Sequence, residues 1–470
     1  MSEEEVASVM LEAFPQLGSI PSPRSVHAAQ VGTDYAWTGS AVKHNAGQGS
    51  VYNRAMLAFP SRKTKILLTM RIQQQMKGQL IVWYDQFLIQ PTMQTSIIFE
   101  KYLGATPLFS PRKWRGEEPV LTQALGAYKD PSLDLRRKLF VKFRNEQGQD
   151  YGGPTREFFD LLYSAILCHE NSVHLVEGQD NNKWPIHDKT ALSCGVYRTL
   201  GRIMAHGLVH GCTALPGLSP AAIVYIITGS VDKATEQLVF EDLCDPELRL
   251  IVNTIMKAET IQEISQATPD SVLQLLSSSG FNDLEVTMQN RAYATHAAMV
   301  HDTVLKRKAE LDDIRSGMAD VKDEHGKNLL VYLEKCVDDI QKFFPRAGNC
   351  ILAQSLISLL KWDDEVSTAR LNVCERAKTF FLKYLHELEK RALSDTAGIG
   401  QLLQFWTGAK HLPLTVKKLE VDFGGEGSTM LSASTCFNRI SLPTNHNDYN
   451  SFVLSSDASI ACGAMGFGEF

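Results

Sequence analysis

The chain has 470 residues, of which 44% are hydrophobic and 21% are charged, and its net charge at pH 7 is −6. This composition is ordinary for a globular protein of about two to four domains, and it offers no excess of basic residues for binding nucleic acid or an anionic membrane. Nine scattered cysteines without a CxxC pair argue against a disulfide framework or a structural zinc site. The acidic start and the lack of a long apolar run predict a cytoplasmic or nuclear protein without a membrane span.

The first hundred residues predict little regular structure. Residues 1–17 carry apolar side chains at helical spacing up to a proline, which predicts a short helix. Residues 18–60 are rich in glycine, serine and proline, as linkers are. Residues 61–110 are predicted to form a small β-containing segment, because apolar residues alternate from Ile66 to Ile72 and again from Leu80 to Tyr84. The role of this segment cannot be inferred from its sequence.

A large domain is predicted to begin near residue 111. Leu139, Val141 and Phe143 alternate with more polar residues and predict a strand, and Pro154 opens a run with helical spacing. Gly152 and Gly153 between them predict a turn that other residues cannot adopt. Arg156 and Glu157 are candidates for an ion pair within the scaffold. Phosphate binding is disfavoured, because no Lys-Ser or Lys-Thr follows the glycines.

A buried helix is predicted from Tyr197 to Leu208, with His206 and His210 four residues apart. They could share a metal ion, but without a third ligand we favour histidines that pack and bond to the backbone. Residues 238–300 predict short apolar helices, and residues 303–324 a solvated surface helix with a narrow apolar stripe at Val304, Leu311 and Ile314. The polar break at Trp362–Thr368 is predicted to be a hinge.

The carboxyl-terminal region predicts a small α/β unit. Ala377, Phe381, Tyr384 and Leu388 share one helical face, and Leu402, Leu403 and Phe405 begin a core; Val416–Phe423 alternates as a strand, Gly424–Ser428 is a flexible connection, and Ile440 and Leu442 mark a second strand. Cys436 therefore falls at the end of a loop, just before a strand. Its neighbours Ser434, Thr435 and Asn438 could donate hydrogen bonds to the sulfur or to an oxyanion. On the local pattern alone, a buried structural cysteine is the better interpretation.

Four features of the sequence, which resemble one protein family, change that interpretation. The segment Leu431–Pro443, which reads LSASTCFNRISLP, resembles the active-site loop of HECT-type ubiquitin ligases. Phe405-Trp406-Thr407-Gly408 upstream, a phenylalanine fourth from the chain end at Phe467, and Asp150–Phe159, which reads DYGGPTREFF, are similar to the same family. Ser432 stands where the family has proline, and Ser434 stands where it has histidine.

The resemblance implies an α+β fold of two lobes joined by a hinge. We expect a large, mostly helical N-lobe at 111–364, with a subdomain near 238–300 that docks a ubiquitin-conjugating enzyme, and a small α/β C-lobe at 365–470. It implies that Cys436 accepts ubiquitin as a thioester and transfers it to a lysine of a protein substrate, without cofactor or metal. Ser434, Thr435, Phe437 and Asn438 are expected to support the loop, and Phe467 to dock on the large lobe.

Two alternatives remain open at this stage. A cysteine hydrolase would pair Cys436 with His411 or His446 within hydrogen-bond reach. A catalytically weak scaffold would bind ubiquitin or its conjugating enzyme without transfer, and the substitutions at Ser432 and Ser434 fit such a protein. If transfer occurs, Asp448 and Glu469 are candidate acidic groups for deprotonating the acceptor lysine.

Overall fold

The computed structural model describes residues 94–99, 120–143, 150–168, 173–323, 325–348, 351–363, 367–391 and 398–463. The predicted helix at 1–17, the linker at 18–60, the hairpin at 66–84, and the residues Phe467 and Glu469 lie outside these ranges. All described residues belong to one compact unit that starts at residue 68. None of the helices in the described ranges is long and apolar enough to cross a lipid bilayer.

The described residues from 120 to 348 form a mainly helical part with its own hydrophobic core, which we call the large module. Strand β1 precedes it and pairs in parallel with β2. The elements up to this point are β1 Gln94–Phe99, α1 Val120–Lys129, β2 Lys138–Phe143, α2 Gly153–Leu167, β3 Val176–Glu177, β4 Trp184–Pro185, α3 Lys189–Ser193, α4 Val196–Val209, α5 Pro220–Thr228, α6 Val231–Thr235, α7 Pro246–Lys257, α8 Ile261–Ala267, α9 Asp270–Ser278, α10 Arg291–Val300, α11 Lys308–Ala319 and α12 Leu329–Glu334.

Local sequence explains the elements that hold the predicted motifs. The apolar residues Leu139, Val141 and Phe143 of β2 are buried, as their alternation predicts. Helix α2 begins at Gly153, with Pro154 in its first turn, where a missing amide proton costs no hydrogen bond. Helix α4 is buried along most of its length. The predicted strand and both predicted helices are thus confirmed.

Helices α7 to α10 enclose a separate small core. Its members include Leu248, Val252, Ile255, Leu276 and Phe281. Proline or a polar side chain opens most of these helices; the Asp245 carboxylate, for instance, accepts from two amides at the start of α7. The short apolar helices predicted at 238–300 therefore form a subdomain with its own core.

The described residues from 351 to 463 form a second part with its own core, which we call the small module. A four-stranded sheet in the order β5-β6-β8-β7 packs against its helices, with β7 antiparallel to β8 and the other pairs parallel. Its elements are α13 Ala353–Ile357, β5 Leu360–Trp362, α14 Leu371–Lys390, α15 Ile399–Thr407, β6 Leu419–Phe423, β7 Ser432–Ser434, β8 Arg439–Leu442 and α16 Tyr449–Gly463. The predicted helical face of α14 and both predicted strands are confirmed, although β6 starts at Leu419 rather than Val416.

The boundary between the modules differs from the prediction. The first core ends at Phe344 and the second begins at Ala353. Strand β5 pairs with β6, so Trp362 stacks on Phe423 inside the small module. The two cores therefore divide between residues 344 and 353 rather than after residue 364, and the run Trp362–Thr368, which was predicted to be a hinge, begins within β5 of the small module.

The charged helix at 303–324 also differs from the prediction of a solvated helix with a narrow stripe. In α11, Glu310, Leu311, Ile314, Gly317 and Met318 are all buried against the large module. The Glu310 carboxylate is held 2.9 Å from the His187 imidazole. Residues His301–Leu305 before it form a π-helical turn. One face of α11 is therefore part of the core.

Candidate functional site

Cys436 lies in a single 3-10 turn, Thr435–Phe437, between the antiparallel strands β7 and β8. Asn438 ends the turn with a left-handed backbone, φ +50°, which asparagine tolerates better than most residues. The Asn438 carbonyl accepts from the Trp406 indole at 2.9 Å and from the Glu420 amide at 3.0 Å. These bonds fix the turn to α15 and β6, and Cys436 remains partly exposed.

The turn faces the amino-terminal end of α2 in the large module. A Cβ atom at Gly153 would lie 2.5 Å from the Thr435 hydroxyl oxygen and 3.2 Å from the Cys436 sulfur. Only a residue without a side chain permits this approach. Gly152 before it has φ +110°, in the region that favours glycine. The glycine pair thus serves both the turn that the sequence predicts and a contact with the cysteine loop.

Asp150 builds the turn that presents Gly153. One carboxylate oxygen accepts from the Gly152 amide at 2.8 Å, and the other accepts from the Val141 amide at 2.8 Å and from the Thr155 hydroxyl at 2.5 Å. The carboxylate is buried, so these donors replace the water it gives up. Asp150 therefore ties β2 to the start of α2.

Arg156 reaches from α2 to the small module. Its Nε donates to the Thr407 carbonyl at 2.6 Å, and its Nη2 donates to the Thr435 carbonyl. Burial lowers the pKa of the guanidinium, while the proximity of the Cys212 and Cys436 sulfurs works against that shift. The side chain predicted to pair with Glu157 thus holds both the end of α15 and the peptide bond that precedes Cys436.

Further polar contacts join the modules beside Arg156. The Lys410 amide donates to Asp160 at 3.0 Å, and the Lys410 ammonium donates to Ser164 at 3.3 Å. The Leu414 amide donates to the Gly211 carbonyl at 2.8 Å. A cavity of about 310 Å³ lies between α2 and residues 409–413. Hydrogen bonds therefore join the modules beside one apolar contact, in which Leu414 packs against the core of the large module, and a cavity remains between them.

The other predicted loop residues occupy different environments. Thr435 is buried against Gly153, and Ser434 pairs with Arg439 in the sheet. Phe437 is 67% exposed. The Asn438 side-chain oxygen is buried and finds no hydrogen-bond donor among the described residues. Thr435 and Phe437 thus flank Cys436 in the chain. Thr435 packs against the large module, and Phe437 exposes its ring to solvent.

The imidazoles proposed for a hydrolase bond to other groups. His446 contacts the Thr429 carbonyl at 2.8 Å and the Ser451 hydroxyl at 3.2 Å, while His411 contacts the Arg346 carbonyl at 3.2 Å. Burial lowers the pKa of His411. Asp448 accepts from the Ser451 amide at 2.9 Å in the first turn of α16, and this bond, with the Ser451 hydroxyl, lowers the pKa of Asp448.

The second histidine pair behaves as predicted. The His206 Nδ1 lies 2.7 Å from the Tyr128 hydroxyl, and the His210 Nε2 accepts from the Leu139 amide at 2.6 Å. Both rings are therefore bound to the scaffold. Across the described part of the chain, no three His, Cys, Asp or Glu side chains are grouped so that they could hold a metal ion.

Comparisons with known proteins agree on one family. A family model described as a HECT-domain (ubiquitin-transferase) matches residues 155–453. The chain is 22% identical over 371 residues to the human apoptosis-resistant E3 ubiquitin protein ligase 1, covering 74% of this chain and 43% of that protein. It is 24% identical over 370 residues to the probable E3 ubiquitin-protein ligase hulA of Aspergillus flavus, covering 72% and 41%. The chain thus spans about two fifths of the length of these curated relatives.

Proposed function

Because the chain belongs to the HECT-domain family of ubiquitin transferases, we propose that it is a ubiquitin-protein ligase with Cys436 as the residue that carries ubiquitin. The observation that carries this proposal is the placement of Cys436. The cysteine is partly exposed on a tight turn inside the matched range, and the turn is anchored to a small module with its own core. A nucleophile with this setting is accessible and held in place.

The first step is an exchange of thioesters. The Cys436 thiolate attacks the carbonyl carbon that joins ubiquitin's carboxyl terminus to the sulfur of a conjugating enzyme. A new carbon–sulfur bond forms at Cys436, and the sulfur of the conjugating enzyme leaves with the bonding electron pair. One thioester replaces another, so no nucleotide or metal is required for this step.

The second step forms an amide bond. The neutral amine of a substrate lysine attacks the Cys436 thioester, the nitrogen loses a proton to solvent or to a nearby base, and the Cys436 sulfur leaves as thiolate. The sulfur must face the conjugating enzyme first and the lysine later. The two separate cores support a movement of one lobe against the other. The large and small modules would be the N-lobe and C-lobe, and residues 345–352 the hinge.

We assign the docking of the conjugating enzyme to the subdomain of α7 to α10. Six exposed large apolar side chains belong to it: Leu250, Met256, Ile261, Leu275, Leu284 and Tyr293. Exposed apolar side chains in such density mark protein-binding surfaces. Leu284 is 95% exposed, so Leu284→Glu should leave the fold intact and raise the concentration of charged conjugating enzyme needed for half-maximal thioester formation. An unchanged concentration dependence would remove Leu284 from this surface.

The two alternatives make different demands on the site. A hydrolase needs an imidazole at the sulfur, and the hydrogen bonds of His411 and His446 to other groups speak against it. A scaffold without activity needs only the fold, and Ser434 in place of the family's histidine is compatible with it. Measured transfer to Cys436 separates the scaffold from the ligase.

The decisive experiment mixes the full chain with a ubiquitin-charged conjugating enzyme and follows the products on gels with and without reductant. We expect a reductant-sensitive adduct of chain and ubiquitin that Cys436→Ala abolishes. Cys462→Ala, a partly exposed cysteine in the same module, is the matched control and should retain the adduct. Release of free ubiquitin without an adduct would indicate a hydrolase, and an unchanged charged enzyme would indicate a scaffold.

A further inference from the structure

The contact between Gly153 and the Cys436 turn leaves little room at the sulfur on the side of the large module. A Cβ atom on residue 153 would overlap the Thr435 hydroxyl oxygen at 2.5 Å and would make a tight contact with the sulfur at 3.2 Å. Thr435 is buried. An acyl group on Cys436, or a second protein that approaches the sulfur, must therefore come from the opposite side or wait until this contact opens.

Arg156 makes two hydrogen bonds across this contact. Its guanidinium donates to two carbonyl groups of the small module, one at the end of α15 and one directly before Cys436. A single rigid fork of donors that binds two carbonyls fixes their relative position, which a lysine ammonium cannot do. Arginine at this place thus couples the start of α2 to the peptide bond of Cys436.

Resting on the proposed function, we propose that Arg156 is a positioning residue that controls access to the catalytic sulfur. While Arg156 binds the carbonyls of Thr407 and Thr435, the Cys436 sulfur is shielded on the side that faces Gly153, although the residue stays partly exposed. When these two bonds open, the small module leaves the glycine turn, and the shielded side of the sulfur also becomes available to the charged conjugating enzyme.

Two different substitutions in α2 test this inference. Gly153→Ala keeps the guanidinium and inserts a methyl group that would overlap the Thr435 hydroxyl and press against the sulfur. Arg156→Met keeps Gly153 and removes both hydrogen bonds. Arg156→Met also removes a positive charge near the sulfur, which by itself would disfavour the thiolate. A common response of the two variants therefore reports the opening of the contact and not the charge.

Matched controls are available in the large module. A Cβ atom at Gly126 would have no atom within 4 Å, so Gly126→Ala tests glycine substitution without a clash. Arg136 pairs with Asp134 on the surface, so Arg136→Met tests arginine loss away from the site. Cys194 is exposed and serves as an internal reference for reactivity, while the buried Cys374 reports whether the small module stays folded.

The 470-residue chain and each variant are pulsed with iodoacetamide, digested, and analysed by mass spectrometry for alkylation of Cys436 relative to Cys194. Gly153→Ala and Arg156→Met are each expected to raise the relative rate at Cys436 about tenfold, or about 1.4 kcal/mol of lost closure. Gly126→Ala and Arg136→Met should match the original protein, and Cys374 should stay protected in all of them.

An unchanged or slower rate at Cys436 in either Gly153→Ala or Arg156→Met, with Cys374 still protected, would overturn the inference. The same proteins are then tested for ubiquitin thioester formation, which should be faster in Gly153→Ala. Because alkylation involves no ubiquitin, the two results are independent. Faster alkylation without any thioester would leave the role of Arg156 standing and reject the proposed function.

Discussion

Glycine allows a close approach at two places in this molecule, once within the core of the large module and once between the two modules. In the large module, Gly201 of α4 and Gly317 of α11 each touch the backbone of the other helix, and an added Cβ would overlap the carbonyl oxygens of Ile314 and Arg198. At the contact between the modules, an added Cβ on Gly153 would meet the Thr435 side chain and the Cys436 sulfur. In the first contact, backbone packs against backbone. In the second, the backbone of Gly153 packs against side chains, which can move.

The surroundings of the two contacts differ in the same sense. The α4–α11 contact is enclosed by fully buried apolar residues such as Leu200, Leu311 and Met318. The contact between the modules relies on hydrogen bonds from Arg156 and Lys410 and borders a cavity. Within the described ranges, the buried Tyr163 hydroxyl beside that cavity has no hydrogen-bond partner. Close apolar packing suits a permanent core, and polar, imperfectly filled contacts suit a surface that opens.

The largest effect is expected for Gly317→Ala. The new methyl group would overlap the Arg198 carbonyl, and neither helix backbone can move without disturbing the core. We expect the free energy of unfolding to fall by about 3 kcal/mol or more, at the upper end of the cost of overpacking. Urea denaturation of the full chain measures it, with Gly126→Ala as the control that should not lose stability. An unchanged midpoint would mean that the two helices are not in contact as described.

A smaller effect is expected from the histidine buried in the same core. Burial, and then the neighbouring His210, lower the pKa of His206 well below its usual value, so the folded protein holds a neutral ring. Below about pH 6.5 the unfolded chain takes up a proton that the folded protein does not. The free energy of unfolding should therefore fall as the pH is lowered through this range, by at most about 1.4 kcal/mol per pH unit from this group.

Denaturation at a series of pH values tests this assignment. His206→Gln should flatten the decline below about pH 6.5, because the unfolded state then no longer gains that proton. His174→Gln, at an exposed histidine, should leave the slope unchanged. If both variants kept the full slope, the acid sensitivity would arise from other groups.

The smallest effect on stability is expected for Gly153→Ala. The substitution resembles Gly317→Ala chemically, but here the small module can move away and both cores stay intact. Alanine also suits the first turn of α2 better than glycine. We expect a change of less than about 1 kcal/mol in the free energy of unfolding. A loss of unfolding free energy as large as that of Gly317→Ala would show that the modules do not separate and that the two glycine contacts do not differ in this way.

Sequence periodicity was enough to predict several helices and strands, and it failed where burial depends on packing between residues far apart in the chain. The alternation at Leu139–Phe143 and at Ile440 and Leu442, and the helical face of α14, came directly from the sequence because burial follows local spacing. The burial of Glu310 and Gly317 in α11 could not be inferred, because it depends on a partner helix more than a hundred residues away. The charge density of α11 indicated a solvent-exposed helix. In the structure His187 contacts Glu310, and α4 contacts Gly317.

The candidate site divides in the same way. Cys436 and its loop were found through a resemblance to a family, since the local pattern alone favoured a buried thiol. The contact of Arg156 with the Thr435 carbonyl spans 279 positions in the chain, and no local signal predicts it. Asp150 was detectable, because an aspartate two residues before a glycine pair commonly accepts from the following amides.

The most direct test of the account uses Cys436→Ser, which replaces the thioester by an ester that reductant does not cleave. This variant of the 470-residue chain is incubated with a ubiquitin-charged conjugating enzyme, and the adduct is digested and sequenced by mass spectrometry. We predict that ubiquitin's carboxyl terminus is bonded to the side chain at position 436. Ubiquitin found only on lysines or on another cysteine, in this variant and in the original protein, would contradict it.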